Sequence, residues 1–169
     1  MAGLPGTGKS TLARSLAERL NGVVLNKDEI RAAAFGPLID YSAGQDDFCM
    51  ELVYRIVAYL HETRPDVPVI VDGRTFTRPS QVNRALEVLR ETPRWIECVC
   101  DDEIAGQRLE ADIDHLAGNR NYDLYCSVKS AAEPLQIARL IIDTGRVKLD
   151  EAVERASSYL LAPDNPHEA

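Results

Sequence analysis

The sequence lacks the residue patterns of a zinc-stapled, secreted or membrane-spanning protein. Its four cysteines include no CxxC pair and its three histidines are scattered, so zinc-ligand spacings are missing. No apolar run reaches the roughly 18 residues needed to cross a membrane, and no basic-then-apolar leader stands at the N-terminus. These absences predict a cytoplasmic protein whose thiols are reduced and mostly buried.

The chain also lacks an excess of positive charge. It has 19 Lys and Arg against 27 Asp and Glu, which gives a formal net charge of −8. A surface this acidic repels a phosphate backbone or an anionic membrane, so nucleic acid is disfavoured as a partner. There is no internal repeat, low-complexity tract or second domain boundary, and 169 residues fit one domain, 1–169.

Apolar residues at helical spacing alternate with short apolar runs along the chain. The alternation predicts an α/β fold with a parallel sheet. Segment 38–46 is predicted to be a loop, and the polar segment 117–130 to be mobile with one helical turn. The predicted helices span 9–20, 28–35, about 46–62 capped by Asp46 or Asp47, 79–91, about 103–116 capped by Asp102, and 149–161; the predicted strands span 23–25, 67–71, 95–100 and 138–143.

A glycine-rich motif over Gly3–Ser10, GLPGTGKS, matches G-x-x-x-x-G-K-[ST] at every fixed position. Its glycines let the chain curl so that successive backbone N–H groups face one concavity, and a helix starting at Lys9 adds the positive end of its dipole. Lys9 can reach the β- and γ-phosphates, and the Ser10 hydroxyl can ligate Mg²⁺. The motif predicts binding of a nucleoside triphosphate rather than a simple turn before a helix.

Only Met1 and Ala2 precede this motif. A buried central strand normally delivers the chain into such a loop, because without it the neighbouring strands leave backbone groups unpaired. Either the native protein has several more residues upstream, or the chain manages without that strand. The first alternative is the expectation, with the first strand truncated in this sequence.

Acidic residues follow two of the predicted strands. Asp72 ends the run VIVD, and at the carboxyl end of a parallel strand it would lie near the Mg²⁺ ion, unless it only stabilises a turn. Asp28 and Arg31 are three residues apart and share one helix face. Asp28 could accept the proton of an acceptor hydroxyl while Arg31 offsets phosphoryl charge; the alternative is a helix cap with a surface ion pair.

Four segments resemble the small P-loop kinases of the ATP-binding "predicted kinase" type, which are related to chloramphenicol phosphotransferase, gluconate kinase, adenylylsulfate kinase and the phage polynucleotide kinase domain. They are GLPGTGKSTLARSLAERL, VVLNKDEIRAAAFG, VIVDGRTFTRPSQVNRALEVL and IECVCDDEIAGQRLEAD. The resemblance covers nearly the whole chain and implies a three-layer P-loop NTPase fold, with a parallel sheet flanked by helices and a small helical lid at about 110–130. It also implies that Asp28 is the general base and that Arg31 contacts the acceptor or the reactive phosphate.

The resemblance further implies lid arginines that close over the phosphates. Arg108 matches the start of that pattern, but Asp112 stands where family members often carry another arginine. Arg120, in the same segment, is the expected source of the missing charge. Arg146 follows the last predicted strand, where the family holds the nucleotide base.

Two more arginines, Arg74 and Arg78, follow Asp72 and are expected to line the acceptor side. They would make the pocket locally positive on an acidic protein, which favours a small and anionic acceptor. The expected nucleotide contacts are Gly3, Pro5, Gly6, Thr7, Gly8, Lys9, Ser10, Thr11 and Arg146; the expected metal ligands are Ser10 and Asp72; the expected catalytic residues are Lys9, Asp28, Arg31, Arg108 and Arg120.

The sequence and the resemblance together predict a kinase that uses ATP and Mg²⁺ to phosphorylate a hydroxyl group of a small molecule. One alternative is a 5′-hydroxyl polynucleotide kinase, which the net charge of −8 disfavours. The other is a nucleotide-binding or ATPase switch that transfers nothing. Nothing in the sequence indicates the acceptor or the oligomeric state.

Overall fold

The computed structural model describes residues 1–89, 93–112 and 117–163. Within these residues, helices and strands alternate, as the hydrophobic periodicity predicts. No helix of this described part is long and apolar enough to span a membrane. The helices are α1 (Lys9–Leu20), α2 (Lys27–Phe35), α3 (Ala43–Thr63), α4 (Pro79–Leu89), α5 (Asp102–Ala111), α6 (Tyr122–Ser130) and α7 (Leu149–Leu161), with a 3-10 turn at Gly36–Leu38; the strands are β1 (Val23–Asn26), β2 (Val69–Asp72), β3 (Ile96–Val99) and β4 (Leu140–Asp143).

The strands form two parallel pairs. β1 pairs with β2, with Asn26 opposite Asp72 at the carboxyl end. β3 pairs with β4, with Val99 opposite Asp143 at the same end. Both pairs are parallel, so the strands of each pair have their carboxyl ends at the same edge, where ligands of open parallel sheets bind.

Residues 1–3 join the two pairs into one sheet. The Met1 amino group donates to the Val71 carbonyl at 2.8 Å. The Ala2 N–H donates to the Ile96 carbonyl at 2.7 Å, and the Ala2 carbonyl accepts from the Cys98 N–H at 2.9 Å. Residues 1–3 therefore occupy the central position, between β2 and β3, that belongs to the strand ahead of the phosphate loop.

Helices cover both faces of this sheet, which confirms the predicted three-layer fold. On one face, apolar side chains of α1 and α7 pack over Ile70, Ile96 and Ile142. On the other, α3 and α4 pack against Phe76 and Trp95, whose rings meet edge to face at 4.8 Å between centroids. α1 and α7 have the boundaries that their apolar spacing predicts.

The start of α3 differs from the prediction. Asp46 and Asp47 were expected to cap it, but the helix begins at Ala43 and its N-cap is Ser42, whose Oγ accepts from the Gln45 N–H at 3.1 Å. Residues 43–46 are therefore helical, and only 39–42 of the predicted loop are outside regular structure. The prediction failed because a serine and two aspartates compete for one cap, and the buried side chain of Gln45 favours the earlier start.

The segment predicted to contain one helical turn contains all of α6. Asn121 caps this helix by accepting from the Leu124 N–H at 2.9 Å, and Tyr125 is buried against Ala105 and Leu109 of α5. α5 itself begins at Asp102, one residue before the prediction, with Asp101 at the N-cap position. The expected ends of α4 near 91 and of α5 near 116 fall on 90–92 and 113–116, which lie outside the described residues.

The close approach of Gly3 to β3 yields a stability prediction. A Cβ atom on Gly3 would lie 2.2 Å from the Cys98 carbonyl oxygen, at a φ of 125° that L-residues avoid. Gly3→Ala is expected to lower the free energy of unfolding by about 2 kcal/mol or more in urea denaturation. The control is Gly44→Ala in α3, where a Cβ meets nothing closer than 4.0 Å; it should raise stability by up to about 1 kcal/mol. Equal stability of the two variants would contradict the packing described here.

Candidate functional site

The phosphate-binding motif forms a tight loop between residues 1–3 and α1. Three of its glycines have positive φ, with values of 125° at Gly3, 79° at Gly6 and 81° at Gly8. Gly8 occupies the N-cap position, and among the described residues no side chain caps the start of α1. The N–H groups of the first turn therefore face the loop, as a bound phosphate requires.

The polar side chains of the motif hold the loop in shape. Thr7 Oγ1 donates to the Leu4 carbonyl at 2.8 Å, and Lys9 Nζ donates to the same carbonyl at 2.7 Å. Burial lowers the pKa of Lys9, and the negative charge of Asp72 opposes that shift. Pro5, Lys9 and Ser10 all line the cavity described below, whereas Thr11 is exposed in the first turn of α1.

A second loop, residues 143–146 after β4, supports the phosphate loop from the side. Thr144 Oγ1 donates to the Thr7 carbonyl at 2.9 Å. Arg108 of α5 donates to Thr144 Oγ1 at 2.9 Å, to the Thr144 carbonyl at 2.8 Å and to the Gly6 carbonyl at 3.4 Å. The structure thus places Arg108 beside the phosphate loop, bound to its neighbouring loop, and its action on the phosphates stays a prediction.

Arg146 lies in the same supporting loop. Its side chain is exposed and forms an ion pair with Asp143, with Nε 3.3 Å from Oδ2. The loop that carries Arg146 touches the phosphate loop through Thr144. A contact between Arg146 and the base of a bound nucleotide remains a prediction.

Asp72, at the carboxyl end of β2, has the features of a metal ligand. Its side chain is fully buried, and Oδ2 accepts from Asn26 Nδ2 at 2.7 Å. Oδ1 is also buried and has no hydrogen-bond partner among the described residues. A buried carboxylate oxygen without a partner suits Mg²⁺, which prefers hard oxygen ligands and is commonly held by one or two carboxylates plus substrate phosphates.

No group of three or more His, Cys, Asp or Glu side chains in the described residues could hold a metal by itself. The protein ligands of an Mg²⁺ ion would therefore be Asp72 and the Ser10 hydroxyl. Phosphate oxygens of the nucleotide would complete the coordination shell. This is the ligand pattern that the sequence predicted.

Asn26 connects the metal side of the site with the predicted base. Its Nδ2 donates to Asp72, and its Oδ1 accepts from the N–H groups of Asp28 at 2.8 Å and Glu29 at 3.2 Å. Asn26 is therefore the N-cap of α2. The alternative in which Asp28 itself caps the helix is thereby corrected, because Asp28 lies inside the first turn with its carboxylate free for other contacts.

Asp28 and Arg31 belong to a cluster of four charged side chains, in which the two cations are buried and the two carboxylates are partly exposed. Arg31 Nη1 donates to Asp28 Oδ1 at 2.9 Å, and Lys27 Nζ lies 3.6 Å from the same oxygen. Asp46 of α3 accepts from Lys27 at 2.8 and 2.9 Å and also pairs with Arg31. Arg31 is 3% exposed, so this is not the surface ion pair that the sequence left open.

Burial also affects the pKa of Lys27. It lowers the pKa of Lys27 to about 8, an effect that Asp28 opposes and that Arg31 and Arg74 reinforce. Two carboxylates and two cations in one cluster leave it nearly neutral, which is the condition under which buried charges are tolerated.

A cavity of about 690 Å³ opens beside the phosphate loop and the charged cluster. It is strongly cationic for a protein of net charge −8. Its charged lining consists of Lys9, Lys27, Arg31, Arg74, Arg78, Arg84 and Arg120 against Asp28, Asp46, Asp47 and Glu51. The excess of three positive charges favours a ligand that carries negative charge.

Arg74 and Arg78 both line the cavity. Arg74 is nearly buried, and its Nη2 donates to Asp47 Oδ1 at 2.6 Å while its Nε has no partner among the described residues. Arg78 is exposed, and no ion pair or hydrogen bond involves its side chain within the described part of the chain. Both arginines are thus available to an acceptor, as the sequence predicted.

Arg120 enters the cavity from the turn between α5 and α6. The turn is closed by a bond from the Arg120 N–H to the Ala117 carbonyl at 3.1 Å. The side chain forms an ion pair with Asp112, the residue that stands where an arginine was expected. Its charge also reaches Lys9, whose pKa it lowers. The structure thus brings Arg120 toward the phosphate site, while its role there remains a prediction.

Several residues of the site lie outside the sequence motifs from which its chemistry is predicted. Asp46 and Gln45 belong to the first turn of α3, Tyr41 precedes that helix, and Thr144 comes from the loop after β4. Asn26 had a local signal, because an asparagine directly before a helical pattern is a typical N-cap. Asp46, Tyr41 and Thr144 act through contacts with residues distant in sequence, which spacing does not reveal.

Comparison with known families gives one match. The family AAA_33, described as an AAA domain, matches residues 1–112, which include the phosphate loop, Asp28, Arg31 and Asp72. No curated protein sequence matches the chain significantly.

Solved structures match the fold over nearly the whole chain. A candidate kinase from Chloroflexus aurantiacus j-10-fl has a TM-score of 0.70 at 21% identity, covering 94% of this chain and 95% of that chain. A gluconokinase from Sinorhizobium meliloti 1021 has a TM-score of 0.68 at 17% identity, with coverage of 94% and 88%. A sugar kinase from Janibacter sp. HTCC2649 has a TM-score of 0.61 at 20% identity, with coverage of 94% and 91%. The fold is therefore that of small P-loop kinases.

The position of Lys9 in the loop predicts a loss of nucleotide binding when its charge is removed. Lys9→Ala should weaken Mg·ATP binding and reduce turnover by about 10²-fold or more, because a cation at the transferred phosphoryl group is lost. Calorimetry measures the affinity and ADP release measures the turnover. Arg155→Ala, which removes an exposed cation on α7, should change neither. Wild-type affinity in Lys9→Ala would contradict the assignment of the loop.

Proposed function

Because the chain belongs to the AAA domain family AAA_33, we propose that it transfers the γ-phosphoryl group of ATP to a hydroxyl group of a small acceptor. The observation that carries the proposal is the shared cavity. The phosphate loop, through Lys9 and Ser10, and the carboxylate of Asp28 line the same space. A phosphoryl donor and a base that meet in one cavity are the two parts that transfer to an alcohol needs.

Asp28 is the proposed acceptor of the hydroxyl proton. Both neighbouring cations, Arg31 and Lys27, approach its Oδ1. No hydrogen bond or ion pair of the described residues engages Oδ2, which leaves that oxygen for the acceptor hydroxyl. The two cations offset negative charge as the phosphoryl group arrives.

The phosphate loop and Lys9 are proposed to bind the triphosphate. The first-turn N–H groups of α1 donate to phosphate oxygens, and Lys9 exchanges its bond with the Leu4 carbonyl for one with the β- or γ-phosphate. Ser10 and the unpartnered Oδ1 of Asp72 would hold Mg²⁺. When bound, Mg²⁺ neutralises charge on the β- and γ-phosphates.

Arg74 and Arg78 indicate the kind of acceptor. The buried Nε of Arg74 lacks a partner among the described residues, and the exposed Arg78 lines the same cavity. A carboxylate or phosphate on the acceptor would satisfy both, since guanidinium groups bind such anions in a bidentate manner. Two of the structural neighbours are a gluconokinase and a sugar kinase, which supports a hydroxylated acceptor of the size of a sugar acid.

The remaining properties of the chain fit this proposal. All four cysteines are free thiols, and a reaction that consumes ATP is expected in the reducing cytoplasm. The net charge of −8 disfavours a polynucleotide acceptor. The cavity lining carries an excess of positive charge while the chain as a whole is acidic, so a small anion can enter where a long polyanion would meet net negative charge.

Asp28→Asn separates a kinase from an ATPase that transfers nothing. The variant keeps the size of the side chain and leaves the Asn26 cap untouched, but it removes a base. Phosphoryl transfer should fall by about 10²–10⁴-fold, while Mg·ATP affinity stays nearly constant. The unfolding free energy should fall by about 1–3 kcal/mol, because Arg31 keeps its ion pair with Asp46 but loses one charged partner.

The matched control for Asp28→Asn is Glu29→Gln. Glu29 is the next residue of α2, and its half-exposed carboxylate pairs with Arg14 at 3.4 Å. That variant should transfer at the wild-type rate. Transfer within about threefold of wild type in Asp28→Asn would remove the base from the mechanism, and a parallel loss of Mg·ATP affinity would make Asp28 a metal ligand.

The acceptor charge is tested with neutral sugars and sugar acids of equal carbon number. Sugar acids should stimulate ADP release more strongly than their neutral partners, because the cavity carries excess positive charge. Arg78→Gln should raise the acceptor KM of sugar acids by about tenfold and leave neutral sugars unaffected. Arg55→Gln, an exposed position on α3, should have no effect. Equal stimulation by neutral sugars in the wild type would contradict an anionic acceptor.

A further inference from the structure

Tyr41 has an unusual backbone for a bulky residue. Its φ is 54°, in the left-handed region that L-residues other than asparagine and aspartate seldom adopt. The other non-glycine residues of the described chain with positive φ are Asn21, which terminates α1, and Phe76, which is buried in the core. Tyr41 differs from both because its side chain lines the cavity beside the phosphate loop.

A network around Gln45 enforces this conformation. The buried Gln45 side chain donates through Nε2 to the Leu38 carbonyl at 3.2 Å and accepts through Oε1 from the Asp40 N–H at 3.2 Å. The Ser42 N–H donates to Asp40 Oδ1 at 2.8 Å. Tyr41 is therefore held between two fixed residues. Backbone strain persists only where the surroundings impose it, and such sites concentrate at functional positions.

The strained backbone presents two parts of Tyr41 to different partners. The ring lies over the guanidinium group of Arg31, with Cζ 5.3 Å from the ring centroid, within cation–π range. The hydroxyl Oη accepts from the Gly118 N–H at 2.7 Å. One side chain therefore bridges the charged cluster around Asp28 and the turn at 117–120.

That turn carries Arg120. Its closing bond runs from the Arg120 N–H to Ala117, one residue before Gly118, so fixing Gly118 also fixes the direction in which Arg120 leaves the turn. A Cβ atom on Gly118 would lie 3.3 Å from Tyr41 Oη, which shows how closely the two residues approach. Asn119 and Arg120 both line the cavity with Lys9.

We propose that Tyr41 is a positioning residue that sets Arg120 relative to the phosphate loop through its bond with the Gly118 N–H. The ring keeps Arg31 against Asp28, while the hydroxyl keeps the turn at 117–120 at a fixed distance from the same cluster. Tyr41 therefore contacts both the charged cluster that contains Asp28 and the turn at 117–120. The kinetic consequence rests on the proposed phosphoryl transfer, whereas the contact itself does not.

The contact is tested by hydrogen exchange of the full chain. Tyr41→Phe keeps the ring over Arg31 and removes only the oxygen that accepts from Gly118. The Gly118 amide should exchange about two- to tenfold faster, as the loss of one hydrogen bond predicts. Tyr59→Phe, an exposed tyrosine on α3, is the control and should leave that amide unchanged. Unchanged exchange in Tyr41→Phe overturns the proposal.

The positioning role is tested by a double-mutant cycle with Arg120→Gln. Tyr41→Phe should lower kcat about three- to tenfold when Arg120 is present and by less than about 1.5-fold in the Arg120→Gln background, with the acceptor KM unchanged in both. Equal effects in both backgrounds would make Tyr41 merely structural and overturn the proposal. The cycle is repeated on Mg·ATP affinity, which needs no acceptor. If the chain transfers no phosphoryl group, the proposed function fails, while exchange at Gly118 and this affinity cycle still decide the role of Tyr41.

Discussion

The side-chain amide of Asn26 holds the two carboxylates of the site in one geometry. Its NH₂ group binds Asp72 at the end of β2, and its oxygen caps α2 so that Asp28 enters the first helical turn. Because β1 and β2 are in register, with Asn26 opposite Asp72, this bond lies at the carboxyl end of the strand pair. The spacing between the carboxylates of Asp72 and Asp28 therefore follows from strand pairing and helix capping.

Ion pairs close to Asn26 explain how so much charge is buried beside the phosphate loop. An isolated ion in such a place would shift its pKa and lose its charge. Here each cation has a carboxylate partner, since Asp28 and Asp46 alternate with Lys27 and Arg31. Removing one member of a buried pair leaves an unpaired buried charge. The resulting loss of stability is larger than the stability that the intact pair contributes. The cluster thus ties α2 to α3 through the ion pairs of Lys27 and Arg31 with Asp46.

The sequence predicts the parts of this site whose chemistry is local. The phosphate loop has a fixed spacing, Asp72 ends an apolar run, and Asp28 and Arg31 share a helix face, so each has a pattern that one segment carries. Asp46 and Tyr41 have no such pattern, because their partners, Arg31 and Gly118, come from other segments. The start of α3 was placed too late for a different reason, since Ser42, Asp46 and Asp47 compete locally for one cap position.

The charge at position 112, at the end of α5, affects Arg120 in the turn that follows. The resemblance implied an arginine at 112, and an aspartate there removes a cation, but it also gives Arg120 a partner. The pair is partly exposed, and such pairs contribute less than about 1 kcal/mol. A phosphate offers Arg120 charge-assisted bonds that are about twice as strong as neutral ones. Arg120 can therefore leave Asp112 for a bound triphosphate at little cost.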